Sequence, residues 1–107
     1  MRILAALVFV AALLGAQPTL ANDIAPGGTL RAVYLASNPA QAVQDRATGA
    51  IRGASADLAR ELGRRINMPV EIKPVADPKA VIDAVSGGAA DIGFVAFAPE
   101  RVGTVEF

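Results

Sequence analysis

The segment Ala90-Asp-Ile-Gly-Phe-Val-Ala-Phe-Ala-Pro-Glu-Arg101 constrains the fold more than any other stretch. Ile92 to Ala98 is apolar throughout, with one Gly and no charge. A run this short and this apolar predicts a strand buried on both faces, which occurs in parallel sheets covered by helices. Pro99 has no N–H to offer a ladder, so the strand is expected to stop there. Arg101 then falls just past the carboxyl end of the strand, the edge of an open α/β sheet where ligands bind. A planar guanidinium suits that edge because its fork of N–H groups matches a carboxylate or a phosphate. The competing reading is a surface Arg paired with Glu100 or Glu106, worth about 0–1 kcal/mol.

The preceding segments supply the rest of such a sheet. Thr29 to Leu35 has the near-continuous apolar run and β-propensity of a strand. Ala36 to Ala40 is turn chemistry around Asn38-Pro39, and Gln41 to Ala50 predicts an exposed loop or short hairpin. A helix follows, with Ser55 as candidate N-cap, Leu58, Leu62 and Ile66 as its buried face and Ala59 alongside. Asn67 and Pro69 stop it. Val70 to Val75 alternates as a half-exposed strand, and Pro74 places it near a sheet edge. Asp77-Pro78 starts a second helix that buries Val81, Ile82 and Val85, and Gly87-Gly88 ends it. After Arg101, Val102, Val105 and Phe107 begin another apolar alternation. The order is β-α-β-α-β, which predicts an α/β fold: an open, mostly parallel sheet with flanking helices.

The N-terminus has a different character. One Arg is followed by an unbroken apolar run, Ile3 to Leu14, and then by Thr19-Leu20-Ala21 before Asn22. That is the charged, apolar and small-x-small order of a secretory signal peptide. Twelve residues rise only about 18 Å as a helix, short of a bilayer core of about 30 Å. An uncleaved anchor or a core helix fits the three-part order less well. Cleavage after Ala21 is expected, with 22–28 a polar leader and 29–107 the folded part, and no membrane insertion thereafter. Ten Lys and Arg balance ten Asp and Glu, so no basic excess points to nucleic acid. Without Cys or His there is no disulfide framework, and zinc chemistry is improbable. No cofactor or metal is expected.

Four places resemble the periplasmic substrate-binding proteins of ABC transporters, in the family 3 type that includes polar amino-acid binders. Gly28-Thr-Leu-Arg-Ala-Val is similar to the family's first strand. Gly53-Ala-Ser-Ala-Asp-Leu-Ala59 is similar to its Gly-Phe-Asp-Val-Asp-Leu-Ala helix start. Gly88 with Ala90-Asp91-Ile92 is similar to its entry to the third strand. Pro99-Glu-Arg101 with Val105-Glu-Phe107 is similar to its Thr-x-x-Arg and Val-Asp-Phe-Ser segment. Each is weak alone; their order and spacing behind an export signal make the set specific. The resemblance implies a partial lobe one of a type II periplasmic binding protein fold, whose second lobe closes on the ligand.

It also implies a role for Arg101, as the partner of a ligand α-carboxylate. Ala98 stands where the family has Thr, Asn38 where an aromatic commonly stacks on the ligand, and Ala96 and Phe97 where Ser-rich positions meet the amino group. Ser37 and Asn38 lie past another strand end and join the candidate site, with plain turn formation as their alternative. Phe97 would supply an apolar wall or, on a buried strand, simply a core aromatic. The function implied is solute binding without chemistry, for a small anionic or zwitterionic molecule such as an amino acid or related carboxylate. Delivery would be to an inner-membrane ABC permease, with a monomer as the expected state. A dehydratase-like enzyme on the same scaffold and the sensing domain of a membrane receptor are the alternatives. No two carboxylates share a motif with acid–base logic, so no catalytic residue is assigned. The chain alone is expected to bind ligand weakly or not at all.

Overall fold

A strand that is apolar on both faces must be covered twice. Leu30, Ala32 and Tyr34 lie on one side of the first strand and Val33 on the other, and all four are buried. The computed structural model describes residues 23–107; the expected signal peptide and Asn22 lie outside the described residues. The elements in chain order are β1 (Leu30–Leu35), β2 (Val43–Gln44), β3 (Ile51–Arg52), α1 (Ala54–Arg65), β4 (Val70–Val75), α2 (Pro78–Ser86), β5 (Ile92–Gly93) and a 3-10 turn at Pro99–Arg101. The fold is the expected mixed α/β arrangement, with β1 central in a parallel sheet of order β4-β1-β5.

β1 and β4 pair in parallel along their whole length, from Leu30 opposite Val70 to Leu35 opposite Val75. β4 is an edge strand, as Pro74 requires, and Glu71 and Lys73 pair with each other on its exposed side. Tyr34 packs with Ala42 and with Ala56 of α1, while Val33 packs with Val81 of α2 and with Ala90. Neighbouring residues of a strand face opposite ways, so the two helices cover opposite faces of the sheet. Leu30, Tyr34 and Val81 are the largest fully buried side chains, each stabilising the fold by about 1.5–3 kcal/mol. Ala25, in the expected polar leader, is fully buried too.

α1 buries a different face from the one its leucines suggest. Ser55, Ala56, Ala59 and Gly63 are buried, and Leu58 is 62% exposed. The stripe is made of small residues because the helix lies against the start of β4: a Cβ on Gly63 would sit 2.1 Å from Val70 Cγ2. Ser55 is not the N-cap. Gly53 is, at φ 137, and a side chain there would strike the Gln41 carbonyl oxygen at 2.6 Å. The helix ends in a left-handed cap at Asn67, φ 56, with Met68 N–H donating to Gly63 O at 2.9 Å and Asn67 N–H to Arg64 O at 3.3 Å. These two bonds satisfy carbonyls that the helix end would otherwise orphan.

α2 follows the sequence closely. Asp77 caps it by accepting the Ala80 N–H at 2.8 Å, Pro78 opens it, and Gly87 closes it. Gln41 to Ala50 holds one strand of a short hairpin, β2 pairing antiparallel with β3 around a loop that Asp45 ties by accepting the N–H groups of Ala47 and Thr48. β5 departs from expectation. The strand covers only Ile92–Gly93, not Ile92 to Ala98, and Ala96 and Phe97 are exposed. Beyond Val102, the expected alternation is reduced to one bridge, Val102 to Val105.

Two substitutions test the face that α1 buries. Gly63→Ala is expected to destabilise the chain by about 1–3 kcal/mol through overpacking against Val70 and the Met68 carbonyl. Leu58→Ala should stay within about 0.5 kcal/mol, as surface changes do. Urea midpoints measure both, and a large loss at Leu58 would return that residue to the core.

Candidate functional site

The short β5 follows from what happens at its end. Asp91 takes the Arg31 backbone N–H on Oδ2 at 2.8 Å, and the Arg31 guanidinium on both oxygens, Nη2 to Oδ1 at 3.0 Å and Nε to Oδ2 at 3.3 Å. Its side chain is 5% exposed. The Asp91 N–H in turn donates to Arg31 O at 2.8 Å. Burial pushes the Asp91 carboxyl up, yet the bonds from the Arg31 side chain and backbone outweigh it and hold the group below its ordinary value. The clamp fixes the start of β5 on β1. Two residues later the Phe94 N–H makes the last ladder bond, to Val33 O at 3.1 Å.

The next donor on β1, the Leu35 N–H, goes to the side chain of Gln41 instead, Oε1 accepting at 2.9 Å. A backbone N–H can only donate, so the Gln41 oxygen must face it and the amide NH2 is turned away. The strands therefore part, and a crevice of about 470 Å³ opens between their carboxyl ends. Leu35, Asn38 and Gln41 line one side, Phe94, Val95 and Ala96 the other, and Ser55 of α1 also borders it. Asn38 O accepts from Gln41 N–H, and its Oδ1 accepts from Ala40 N–H at 3.1 Å. That orientation leaves the Asn38 NH2 without a partner among the described residues. The backbone N–H of Ser55 donates to Gln41 O at 2.9 Å, and its hydroxyl makes no hydrogen bond among the described residues. The lining thus offers two amide NH2 groups and a hydroxyl, and no carboxylate.

Of the residues singled out from sequence, Asn38 and Ala96 line this crevice. Arg101 does not line it; its Nη1 donates to the backbone oxygen of Ala96, which does, at 2.6 Å, and it is not ion-paired with Glu100 or Glu106 among the described residues. Ser37 is exposed on the turn and does not line the crevice. Phe97 turns away and is 66% exposed, so it is neither a core aromatic nor part of the crevice lining. Its ring meets Phe107 edge-on at 5.1 Å, and it borders a separate groove of about 1010 Å³ with Val85 and the segment 102–107. Sequence reasoning missed Gln41 and Ser55. The signal for Gln41 was a lone amide just past an Asn-Pro turn, at the distance where a side chain can reach back to the strand end.

No family model matches the sequence, and no curated protein matches it. Solved structures do. An ancestral cationic amino acid solute-binding protein superposes with a TM-score of 0.64 at 27% identity, over 78% of this chain and 36% of that one. The arginine-bound form of domain 1 of ArgBP from T. maritima superposes with a TM-score of 0.62 at 26% identity, over 74% of this chain and 63% of that domain. The chain shares its fold with one lobe of these amino-acid-binding proteins. An ancestral cyclohexadienyl dehydratase, at 24% identity and a TM-score of 0.62, shares the fold. The chain spans little more than a third of the full-length proteins it matches. Among the described residues no helix is long and apolar enough to cross a membrane.

The clamp sets a pH dependence. Because the folded Asp91 carboxyl titrates below its unfolded value of about 3.9, its stabilisation is present above that pH and is lost as the pH falls through the folded pKa. Asp91→Asn should lower stability at neutral pH by about 2 kcal/mol. As the pH falls below about 4 the gap to the wild type should begin to narrow. Urea midpoints from pH 7 to pH 3 measure it, and a gap constant with pH would remove the clamp as its cause.

Proposed function

We propose that the crevice is the ligand wall of an extracytoplasmic solute-binding protein serving an ABC transporter. The observation that carries the reading is the position of the crevice, at the carboxyl ends of two parallel strands on a fold shared with amino-acid-binding proteins. Its ligand is a small anionic or zwitterionic solute, an amino acid or related carboxylate. Arg101, anchored on the Ala96 oxygen, receives the carboxylate through its remaining guanidinium N–H groups, and Asn38, Gln41 and Ser55 supply neutral donors in the crevice. A bidentate pair of that kind fixes orientation as well as affinity. The absence of a carboxylate in the lining favours an anionic end of the ligand on this wall. A second lobe would close over the solute, and an inner-membrane permease would receive it from the periplasm. Neither His nor a carboxylate stands in the lining to move a proton, so binding without chemistry is preferred to a dehydratase-like activity.

The carboxylate role of Arg101 is testable in a longer protein that carries this lobe. Arg101→Ala should weaken a carboxylate ligand by about 2–5 kcal/mol if the pair is desolvated, and an unchanged Kd by calorimetry would exclude it. For the 107-residue chain, titration with arginine and glutamate is expected to give a Kd weaker than about 1 mM, because one wall desolvates only one side of the solute. The arginine-bound single domain of ArgBP is the informative contrast: micromolar binding here would mean that this wall suffices.

A further inference from the structure

The side of the crevice formed by Leu35, Asn38 and Gln41 has a one-sided hydrogen-bond balance, because every oxygen on it is already engaged. Leu35 O accepts from Asn38 N–H at 3.1 Å, Asn38 O from Gln41 N–H at 3.0 Å, and Gln41 O from Ser55 N–H at 2.9 Å. Asn38 Oδ1 and Gln41 Oε1 accept from the Ala40 and Leu35 N–H groups. An amide whose oxygen is held in this way has only its NH2 left to offer, and an NH2 can only donate. Neither NH2 has a partner among the described residues, and neither is sealed from solvent.

Ser55 points the same way independently. The residue is 6% exposed. Its hydroxyl has no partner among the described residues, yet the oxygen still reaches solvent. A buried hydroxyl normally finds a partner, and this one borders the crevice. It stands in the first turn of α1, whose amino end carries no side-chain cap and so keeps the partial positive charge of unsatisfied N–H groups. Asp57, the acidic residue of that turn, does not border the crevice; its side chain is 79% exposed and lies 3.7 Å from Arg60. Gln41 is bonded through its backbone to both Asn38 and Ser55, so the free donors belong to one continuous patch.

We propose that this patch reads the far end of the solute, with Gln41 as the specificity-determining residue, and that the solute is an acidic amino acid. The inference rests on the reading that Arg101 holds the α-carboxylate. The side-chain carboxylate lies against the patch and accepts from its free N–H and O–H groups. A guanidinium brings donors only, and on this side of the crevice it meets no unengaged oxygen. The preference is therefore opposite to the one in the name of the ancestral cationic amino acid solute-binding protein.

L-Glutamate and L-arginine share the α-carboxylate and differ at the far end. Each is titrated into the full chain at matched pH and ionic strength, with two-dimensional NMR following the side-chain NH2 signals of Asn38 and Gln41 in the millimolar range. Glutamate should shift both saturably and bind about tenfold more tightly than arginine. Ser55→Ala deletes a hydroxyl that bonds nothing within the described chain, so it should weaken glutamate about tenfold with the urea midpoint unchanged. Gln41→Glu keeps an oxygen for the Leu35 N–H and replaces the NH2 by a second oxygen, so it should reverse the preference to arginine. Circular dichroism confirms that the variants fold, and Ser55→Ala decides should Gln41→Glu not fold. Equal affinity for the two amino acids, or a preference for glutamate unmoved in the folded variants, would overturn the inference and leave the primary reading standing. Failure of both amino acids to shift any crevice residue would overturn both.

Discussion

The pairing of Asp91 with Arg31 is the interaction on which the arrangement rests. A carboxylate that is almost fully buried accepts from one backbone N–H and from two nitrogens of one guanidinium. Charge-assisted bonds of this kind are about twice as strong as neutral ones and fix geometry as well as proximity. They set the register of β5 on the central strand at its amino end only. Nothing of comparable strength holds the carboxyl end. β5 is released after two paired residues, and the gap beside β1 becomes space that a solute can enter. A longer ladder would have closed that gap with backbone hydrogen bonds.

Gln41 links this geometry to chemistry. Its oxygen replaces the ladder acceptor that β5 no longer offers to Leu35, its backbone oxygen accepts from Ser55, and its backbone N–H is held by Asn38. One residue thus joins the strand end, the turn and the first turn of α1. The same bonds orient its NH2 away from the Leu35 N–H it has satisfied. The polar character of the crevice is a by-product of repairing a broken sheet edge.

Much of the frame was legible in the sequence. Asp77-Pro78, Gly87 and Asn67 mark helix ends through local chemistry, and Pro74 marks the sheet edge because proline lacks a donor. Three features were not legible, each for a non-local reason. α1 turns its small residues inward because β4 comes close at Gly63, whereas the four-residue spacing of Leu58, Leu62 and Ile66 pointed to another face. β5 stops at Gly93 because a side chain from residue 41 takes over, which no apolar run can reveal. Ser55 has the chemistry of a cap, but Gly53 starts the helix because only a residue without Cβ fits against Gln41. Beside the crevice, Asn38 was expected from the rule that ligands gather at strand ends, and Ala96 from the family resemblance alone. Gln41 was not, because its importance lies in a bond across the turn.

Gly53 has a mechanical consequence. At φ 137, with Gln41 O and Ala42 Cα closer than any Cβ would tolerate, the root of α1 and the turn after β1 are wedged into one block. The jaw they form has little freedom to mould itself around a guest. In the proposed binding role, shape adjustment would fall to the second lobe, while this side acts as the anvil.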